Sequence, residues 1–372
     1  MIYLDYTAHV PPSAEAMRVF LESEQACIGN ANAHHPAGET AKAWMDDAQT
    51  TCAKLLCISP RELIFTSGAS EGNNTAINGL VYSARHFGHH IITSPLEHPS
   101  VSGCLTALQE RGYEIDVLPI GPDGRIRTED VSARLRQDTV LVTLPAVDSE
   151  LGVIQPMEEI AAIVRTMPHC HLHVDATQAI GKIPIDLSLA VTAAFSAHKF
   201  GGFTGSGILY KKDAIEMEPL IHGGVSTSIY RSGTPAVGLA ASLAAALDSA
   251  LSHMPEHTEK ITRLNRRLRE ALCTRGVRIF SPEHAIPHIL NIGVDGIKGA
   301  AMRDALAAHD VCVSVKSACS VENTPSRAVY AITKNRRQAL EAFRVSLSSM
   351  TTEDEIAHFL DIFDIVLKEL KP

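Results

Sequence analysis

The stretch FSAHKFGGFTGSG (195–207) sets one amine, Lys199, between His198 and a run of small residues. A lysine there can be a solvated charge, a clamp on a phosphate, or, once deprotonated, a nucleophile toward a carbonyl carbon. Upstream, TSGASEGNN (66–74) places Gly68 after a β-branched run and lets Ala69 and Ser70 open a helix, whose free N–H groups suit an anion. The run lacks the spacing and the closing GK[ST] of a P-loop, and an ordinary helix cap is the plainer reading of it alone. HLHVDATQ (171–178) adds Asp175 with Gln178 just beyond, one charge and one neutral amide that can together engage a heteroaromatic ring. His169, His171, His173 and Asp175 alternate and therefore share a strand face, yet successive same-face residues diverge in steps of roughly 6–7 Å, so no metal is expected and the histidines read as buried or supporting groups.

The elements that must position these groups are short. LIFTSG (63–68), HHIITSPLEH (89–98), TVLVTLPA (139–146), CHLHVDAT (170–177) and LAVTAAFSAH (189–198) read as strands that end where polar residues begin, each followed by an alanine- and leucine-rich helical stretch. That alternation predicts an α/β fold with a mainly parallel sheet, helices on its faces and ligands beyond the carboxyl ends of the strands. Those ends hold Ser67, Gly68, Glu97, His98, Asp175 and Lys199. Past residue 256 the pattern changes: a charged helical repeat, a strand near HILNIGVDG (288–296), a helix then strand over 300–315, and a terminal amphipathic helix over 351–370 with an acidic start. We place a large domain at 13–256 and a smaller α+β domain at 257–372 together with residues 1–12.

Composition bounds the function. At 372 residues, with 45% apolar and 20% charged residues, the chain can bury a large core and is too apolar for disorder. A formal charge of −9 supplies no basic field for a phosphate backbone, which argues against nucleic acid as a partner. The start, MIYLDYTAHVPP, has no basic segment followed by an apolar run, and the most apolar tract (236–254) is alanine-rich and contains Asp248 and His253, so a packed helix is expected there and no membrane partner. Eight cysteines without a CxxC pair or regular spacing point to reduced thiols and a cytoplasmic setting.

A phosphate cradle, a carboxylate and a lysine at three strand ends are the parts needed to hold pyridoxal 5'-phosphate as a Schiff base. With those parts in order, the chain resembles the cysteine desulfurases, in the class V aminotransferase group of fold-type I pyridoxal-phosphate enzymes. The resemblance is carried by YLDYTA (3–8), GNANAHHPAG (29–38), IFTSGASEGNN (64–74), EHPSV (97–101), SELGVIQP (149–156), HVDATQAIGK (173–182), SAHKFGG (196–202), HGG (222–224) with YRSGT (230–234), SACS (317–320) and FRVSLSSMTTEDEI (343–356). It implies a mainly parallel seven-stranded sheet flanked by helices. Lys199 then matches the lysine that holds the cofactor and moves protons, Asp175 the partner of the pyridine nitrogen, Gln178 the donor to the phenolic oxygen, and His98 the ring-stacking histidine. Ala69, Ser70, Ser196 and His198 match the phosphate site, and Thr234 a threonine lent to a second subunit, which implies a homodimer with shared active sites. Asn30, Ser149 and Arg344 match substrate-binding positions, Arg344 having the planar fork that suits a carboxylate. Cys319 matches the loop cysteine that takes sulfur from L-cysteine as a persulfide, leaving L-alanine, with Lys316 nearby to favour the thiolate. A protein sulfur acceptor or iron–sulfur scaffold is the implied downstream partner.

Three departures mark this chain. Asp148-Ser149-Glu150 stands where the family has Asn-Asn-Glu, which shortens one polar side chain and adds an acid. Gly202-Phe203-Thr204-Gly205 replaces Gly-Pro-Lys-Gly and removes a positive charge. Lys316 replaces a common glycine, and the segment from Cys319 to Pro325 is one residue shorter than in long-loop members. Selenocysteine cleavage, transamination, or a cofactor-binding scaffold with little turnover are the alternatives that these departures leave open.

Overall fold

Short runs of β-branched and apolar residues, buried on both faces except at the β4 edge, build a sheet that helices cover. In the computed structural model, which describes residues 1–316 and 324–370, the chain opens with β1 (Ile2–Tyr3), α1 (Ala14–Ala26) and α2 (Pro36–Leu55). It then alternates through β2 (Leu63–Thr66), α3 (Ala69–Ser83), β3 (His90–Thr93), α4 (Pro99–Gln109), β4 (Glu114–Val117), α5 (Thr128–Arg134), β5 (Thr139–Pro145), α6 (Met157–Val164), β6 (His171–Asp175), β7 (Thr192–Ser196) and β8 (Gly207–Lys211). Strands β2 to β8 form one seven-stranded sheet in the order β2-β8-β7-β6-β5-β3-β4, with β8 antiparallel to both neighbours and the other strands running one way. The mainly parallel seven-stranded sheet expected above is thus observed.

Sequence periodicity does not single out β4 or β8. The first carries alternating acids at an exposed edge. The second inserts between β2 and β7 through a glycine: a Cβ on Gly207 would lie 2.6 Å from both the Gly68 Cα and the Phe195 carbonyl oxygen. Helix α3 presses equally closely on the sheet, since a Cβ on Gly72 would sit 2.8 Å from the Ala194 Cβ.

The rest of the chain comprises α7 (Val237–Ser252), α8 (Met254–Cys273), β9 (Arg278–Ile279), β10 (Ile289–Gly293), α9 (Gly299–Ala308), β11 (Val311–Cys312), α10 (Arg327–Thr333), α11 (Arg336–Glu341), β12 (Ala342–Ser346) and α12 (Glu353–Leu370). Helix α7, the alanine-rich tract, is a core helix with Ala240, Leu243, Ala244 and Leu247 buried, and no single helix among the described residues is long and apolar enough to cross a membrane. Strands β12, β10 and β9 form an antiparallel sheet, and β1 pairs in parallel with β11. Ile2 and Leu4 join a hydrophobic cluster with Leu264, Leu268, Phe343, Phe359 and Phe363, separate from the two clusters that include residues of the large sheet. The chain's first residues are therefore stitched to its last third: Ser346 N–H donates to the Leu4 carbonyl at 2.7 Å, and Thr7 N–H to Ser346 Oγ at 2.9 Å. This return carries Asp5, Thr7 and Ala8 to the carboxyl end of the large sheet.

Because α3 has no room for a side chain at residue 72, Gly72→Val is expected to destabilise the fold by about 1–3 kcal/mol through overpacking against β7. Urea denaturation would read this as a lower midpoint, and an unchanged midpoint would contradict the close packing.

Candidate active site

A buried chain of polar side chains runs from β7 through β6 into α3. The order of donors follows from chemistry: Asn73 Oδ1 can only accept, so His173 Nε2 must donate to it (3.0 Å), leaving His173 Nδ1 to accept from Thr192 Oγ1 (2.9 Å). Asn73 Nδ2 then donates to Asp175 Oδ2 at 2.9 Å and to Ser100 Oγ at 3.0 Å. Ser100 in turn meets His98, its N–H and hydroxyl lying 3.1 and 2.9 Å from His98 Nδ1. Nδ1 is thereby the acceptor, which puts the proton of a neutral His98 on Nε2. Burial lowers the His98 pKa and pushes His173 down to about 4, so both imidazoles stay neutral near pH 7. Asn73, His173 and Thr192 are fully buried. One asparagine thus fixes both the acid and the histidine that the sequence singles out.

These residues face a cavity of about 250 Å³ beyond the strand ends, lined among others by Ala69, Ser70, His98, Ser149, Asp175, Gln178, Ser196, His198, Lys199 and Arg344. Asp175 closes β6, and Lys199 sits on a single 3-10 turn, Ala197–Lys199, directly after β7, so two neighbouring strands present the acid and the amine side by side. Lys199 Nζ donates to the carbonyls of Thr7 (2.9 Å) and Ala8 (2.7 Å). Gly68, at φ +144°, turns the chain from β2 into α3, and the first helical N–H, that of Ala69, donates to Ser196 Oγ at 2.7 Å. Ser196, His198 and the start of α3 are thereby gathered at one end of the cavity. His198 has its pKa pushed down to about 4 by burial, with Lys199 adding to the effect.

At the other end lies Arg344, fully buried on β12. Its Nη1 donates to the Ser149 carbonyl and its Nη2 to Asp5 Oδ1, each at 2.8 Å. Sequence reasoning missed Asp5 and Thr7; YLDYTA gave the signal, but nothing local says that the N-terminus returns here. Asp148, expected to add charge to the site, turns away: its carboxylate accepts from the N–H groups of Glu150, Leu151 and Val153 at 2.8–3.2 Å and does not line the cavity. The sequence Asp148-Ser149-Glu150 thus changes the cavity at Ser149 alone, because Glu150 keeps the family residue and accepts from Ser326 Oγ at 2.5 Å. Phe203, where the family carries proline, packs on Phe20 with ring centroids 4.8 Å apart.

Not every expected residue reaches the cavity. Asn30 and Thr234 are exposed and absent from its lining. Cys319 lies outside the described residues; just before that segment, Lys316 Nζ donates to the Thr324 carbonyl at 3.0 Å and to its hydroxyl. The alternating histidines do not converge: His169 stacks on Phe87 at 3.7 Å while His173 reaches Asn73, and among the described residues no three His, Cys, Asp or Glu side chains form a metal-sized group.

Three cavity residues carry buried polar atoms without a partner among the described residues: His198 Nδ1, Thr177 Oγ1 and Arg344 Nε. Orphaned polar groups around a cavity with an acid, an amine and a helix N-terminus fit a polar, anionic aromatic ligand such as pyridoxal phosphate.

The fold and this site define an α/β chain of the type that holds a cofactor at the carboxyl ends of a mainly parallel sheet. Residues 2–359 match the profile "Aminotransferase class-V", and the chain belongs to that family. It is 35% identical over 371 residues to the "NifS/IcsS protein homolog" of Lactobacillus delbrueckii subsp. bulgaricus, covering 98% of this chain and 96% of the relative. It is also 35% identical over 375 residues to "Cysteine desulfurase IscS" of Proteus mirabilis, covering 97% and 91%. A solved structure titled "NIFS-LIKE PROTEIN" superposes with a TM-score of 0.94 at 31% identity, covering 99% of each chain.

Two outcomes follow from the polar chain. Asn73→Ala leaves Asp175, Ser100 and His173 each short of a partner, and is expected to cost about 2–3 kcal/mol of stability and to weaken cofactor retention; wild-type retention on dialysis would contradict it. For His173, the folded value of about 4 lies below the unfolded value near 6.5, so the unfolded chain binds more protons in that window. Its contribution is fully present above pH 6.5 and is lost as pH falls toward 4. His173→Gln, which cannot titrate, should therefore show a shallower loss of stability between pH 6.5 and 4 in denaturation series.

Proposed function

We propose that this chain is a pyridoxal-phosphate-dependent cysteine desulfurase that converts L-cysteine to L-alanine and passes the sulfur to Cys319. The single observation that carries the reading is the gathering of Lys199, Asp175 and Arg344 around one cavity in a chain that aligns over nearly its whole length with a cysteine desulfurase. Pyridoxal phosphate, when bound, supplies an electron sink for the bonds of the substrate's α-carbon. Asp175, held by Asn73, would pair with the ring nitrogen. Ser70, His198 and Ser196, whose Oγ is held in place by the Ala69 N–H, would hold the phosphate, and Gln178 would donate toward the phenolic oxygen. Lys199 holds the cofactor and moves protons, assisted by His98, whose Nε2 carries the proton. Arg344, with Ser149, takes the substrate carboxylate.

In the sulfur step the Cys319 thiolate attacks the substrate sulfur. An S–S bond forms, the Cβ–S bond breaks, the carbon fragment takes up a proton and leaves as alanine, and the enzyme keeps the sulfane sulfur as a persulfide. A further thiol acceptor, a carrier or iron–sulfur scaffold protein, then receives it, and this chemistry calls for the reduced thiols of a cytoplasmic setting. The proposal also includes the division into a large domain (13–256) and a small one (1–12 with 257–372), supported by one hydrophobic cluster drawn wholly from the latter segments, Ile2 and Leu4 with residues between Ile261 and Val366. A homodimer belongs to it as well: Asn30 and Thr234 are exposed, and Val225 and Ile229 expose apolar surface close to Thr234 in the chain, as expected where a second copy completes the site.

The test is release of alanine and sulfide from L-cysteine with a reductant, by wild type and by Cys319→Ala after both are shown to hold the cofactor. Stoichiometric alanine and sulfide from wild type alone supports the reading; equal activity in both removes Cys319 as nucleophile, and pyruvate or a keto acid in place of alanine refutes desulfuration. Arg344→Lys keeps the charge but loses the fork, and KM for L-cysteine is expected to rise by about 10- to 100-fold, the loss of a charged hydrogen bond.

A further inference from the structure

We propose that Lys182 is a positioning residue whose ammonium fixes the side-chain amide of Gln178 so that its N–H groups, and not its oxygen, face the cofactor cavity. The inference rests on the site reading above and assigns the residue behind that site. Lys182 follows Gln178 by four positions through tight turns, with the N–H groups of Ile180, Lys182 and Ile183 donating to the carbonyls of Ala176, Ala179 and Ala179 at 3.0–3.1 Å. Gly181, at φ +73°, completes the bend where a Cβ would come within 3.0 Å of Ala250 Cβ and 3.1 Å of Phe200 Cβ.

Lys182 Nζ donates to Gln178 Oε1, and Gln178 Nε2 donates to the Thr7 carbonyl at 3.2 Å. An ammonium can only donate and a carbonyl can only accept, so the amide's orientation is forced from both ends. Reversing it would set N–H against ammonium and oxygen against oxygen. The NH₂ group has two hydrogens; one goes to Thr7, and the other remains for the cavity that Gln178 lines.

Burying a lysine is costly unless a partner returns the energy, and Lys182 is only 7% exposed. Its other side borders a second cavity of about 310 Å³, whose lining includes Lys199, His257 and His288 but no Asp or Glu. No carboxylate there competes for the ammonium, and the partner that gives its burial a return is the Gln178 oxygen. Burial, with the charges of Lys199 and Arg344 adding to it, pulls the Lys182 pKa down to about 7, and donation to the Gln178 oxygen works against that pull by favouring the ammonium.

The experiment uses the full chain loaded with pyridoxal phosphate and reads the pH midpoint of the bound cofactor's visible absorbance. An N–H donated to an ionised ring oxygen holds it ionised, so its loss raises the midpoint. Lys182→Met and Gln178→Ala are each expected to raise it by about 0.5–1 pH unit, the size of one hydrogen bond. The double variant should shift no further than either single one, and Lys182→Arg, which keeps the donor, should stay at the wild-type value. If Lys182→Met does not fold, Lys182→Gln, which can accept as well as donate, is read instead with the same direction expected. The proposal is overturned if the Lys182 variant keeps the wild-type midpoint, if the two single shifts add, or if Gln178→Ala with bound cofactor shows no shift. A wild-type chain that gains no visible band would instead overturn the cofactor reading itself and this inference with it.

Discussion

The hydrogen bond between Asn73 and Asp175 is the constraint on which the site depends. A carboxylate at a strand end would swing among rotamers and recruit water if nothing held it; at 2.9 Å from a fully buried amide it has one place to be. The amide is itself oriented by His173, which Thr192 orients from the next strand. Of this chain only Asp175 and His98 line the cavity, yet each member fixes the direction of the next. The network is satisfied link by link, which is the condition under which buried polar groups rigidify a site rather than weaken a core.

The second constraint is topological. The N-terminal strand pairs with β11, and the residues after it cross back over the large sheet, so that Thr7 and Ala8 offer their carbonyls to Lys199 and Asp5 meets Arg344. The two ends of the cavity are therefore completed by a segment nearly two hundred residues away from the lysine in sequence. Asp5 holds one arm of the arginine in place, so under the proposed function a substrate carboxylate would exchange with Asp5 at a pre-oriented fork.

The departures from the family pattern are absorbed unequally. Asp148 spends its charge on four backbone contacts within its own turn and becomes a structural residue. Ser149 is different: it faces the cavity and lends its carbonyl to Arg344. The departure read in sequence as a shortened polar side chain and an added acid is thus one local loss of reach at Ser149 and one structural change at Asp148.

Much of the fold was legible because a parallel sheet writes itself as short β-branched runs separated by alanine-rich helices, and because the polar residues that end those runs stand where ligands bind. Lys199, Asp175, Gln178, His98 and the Gly68-Ala69-Ser70 turn could be selected on those grounds. Strand β8 was not legible: its antiparallel insertion depends on Gly68 and Gly207 approaching closely, a contact between segments more than a hundred residues apart. Asn73, Ser100 and Lys182 were not singled out, because nothing local says which distant groups they meet. By itself the sequence determined the chemistry available and the strand ends that carry it, since side-chain type and hydrophobic period are local. Which donor faces which acceptor, and that the first eight residues close the cavity, was decided only by tertiary structure, because hydrogen-bond direction and burial exist only once distant segments meet.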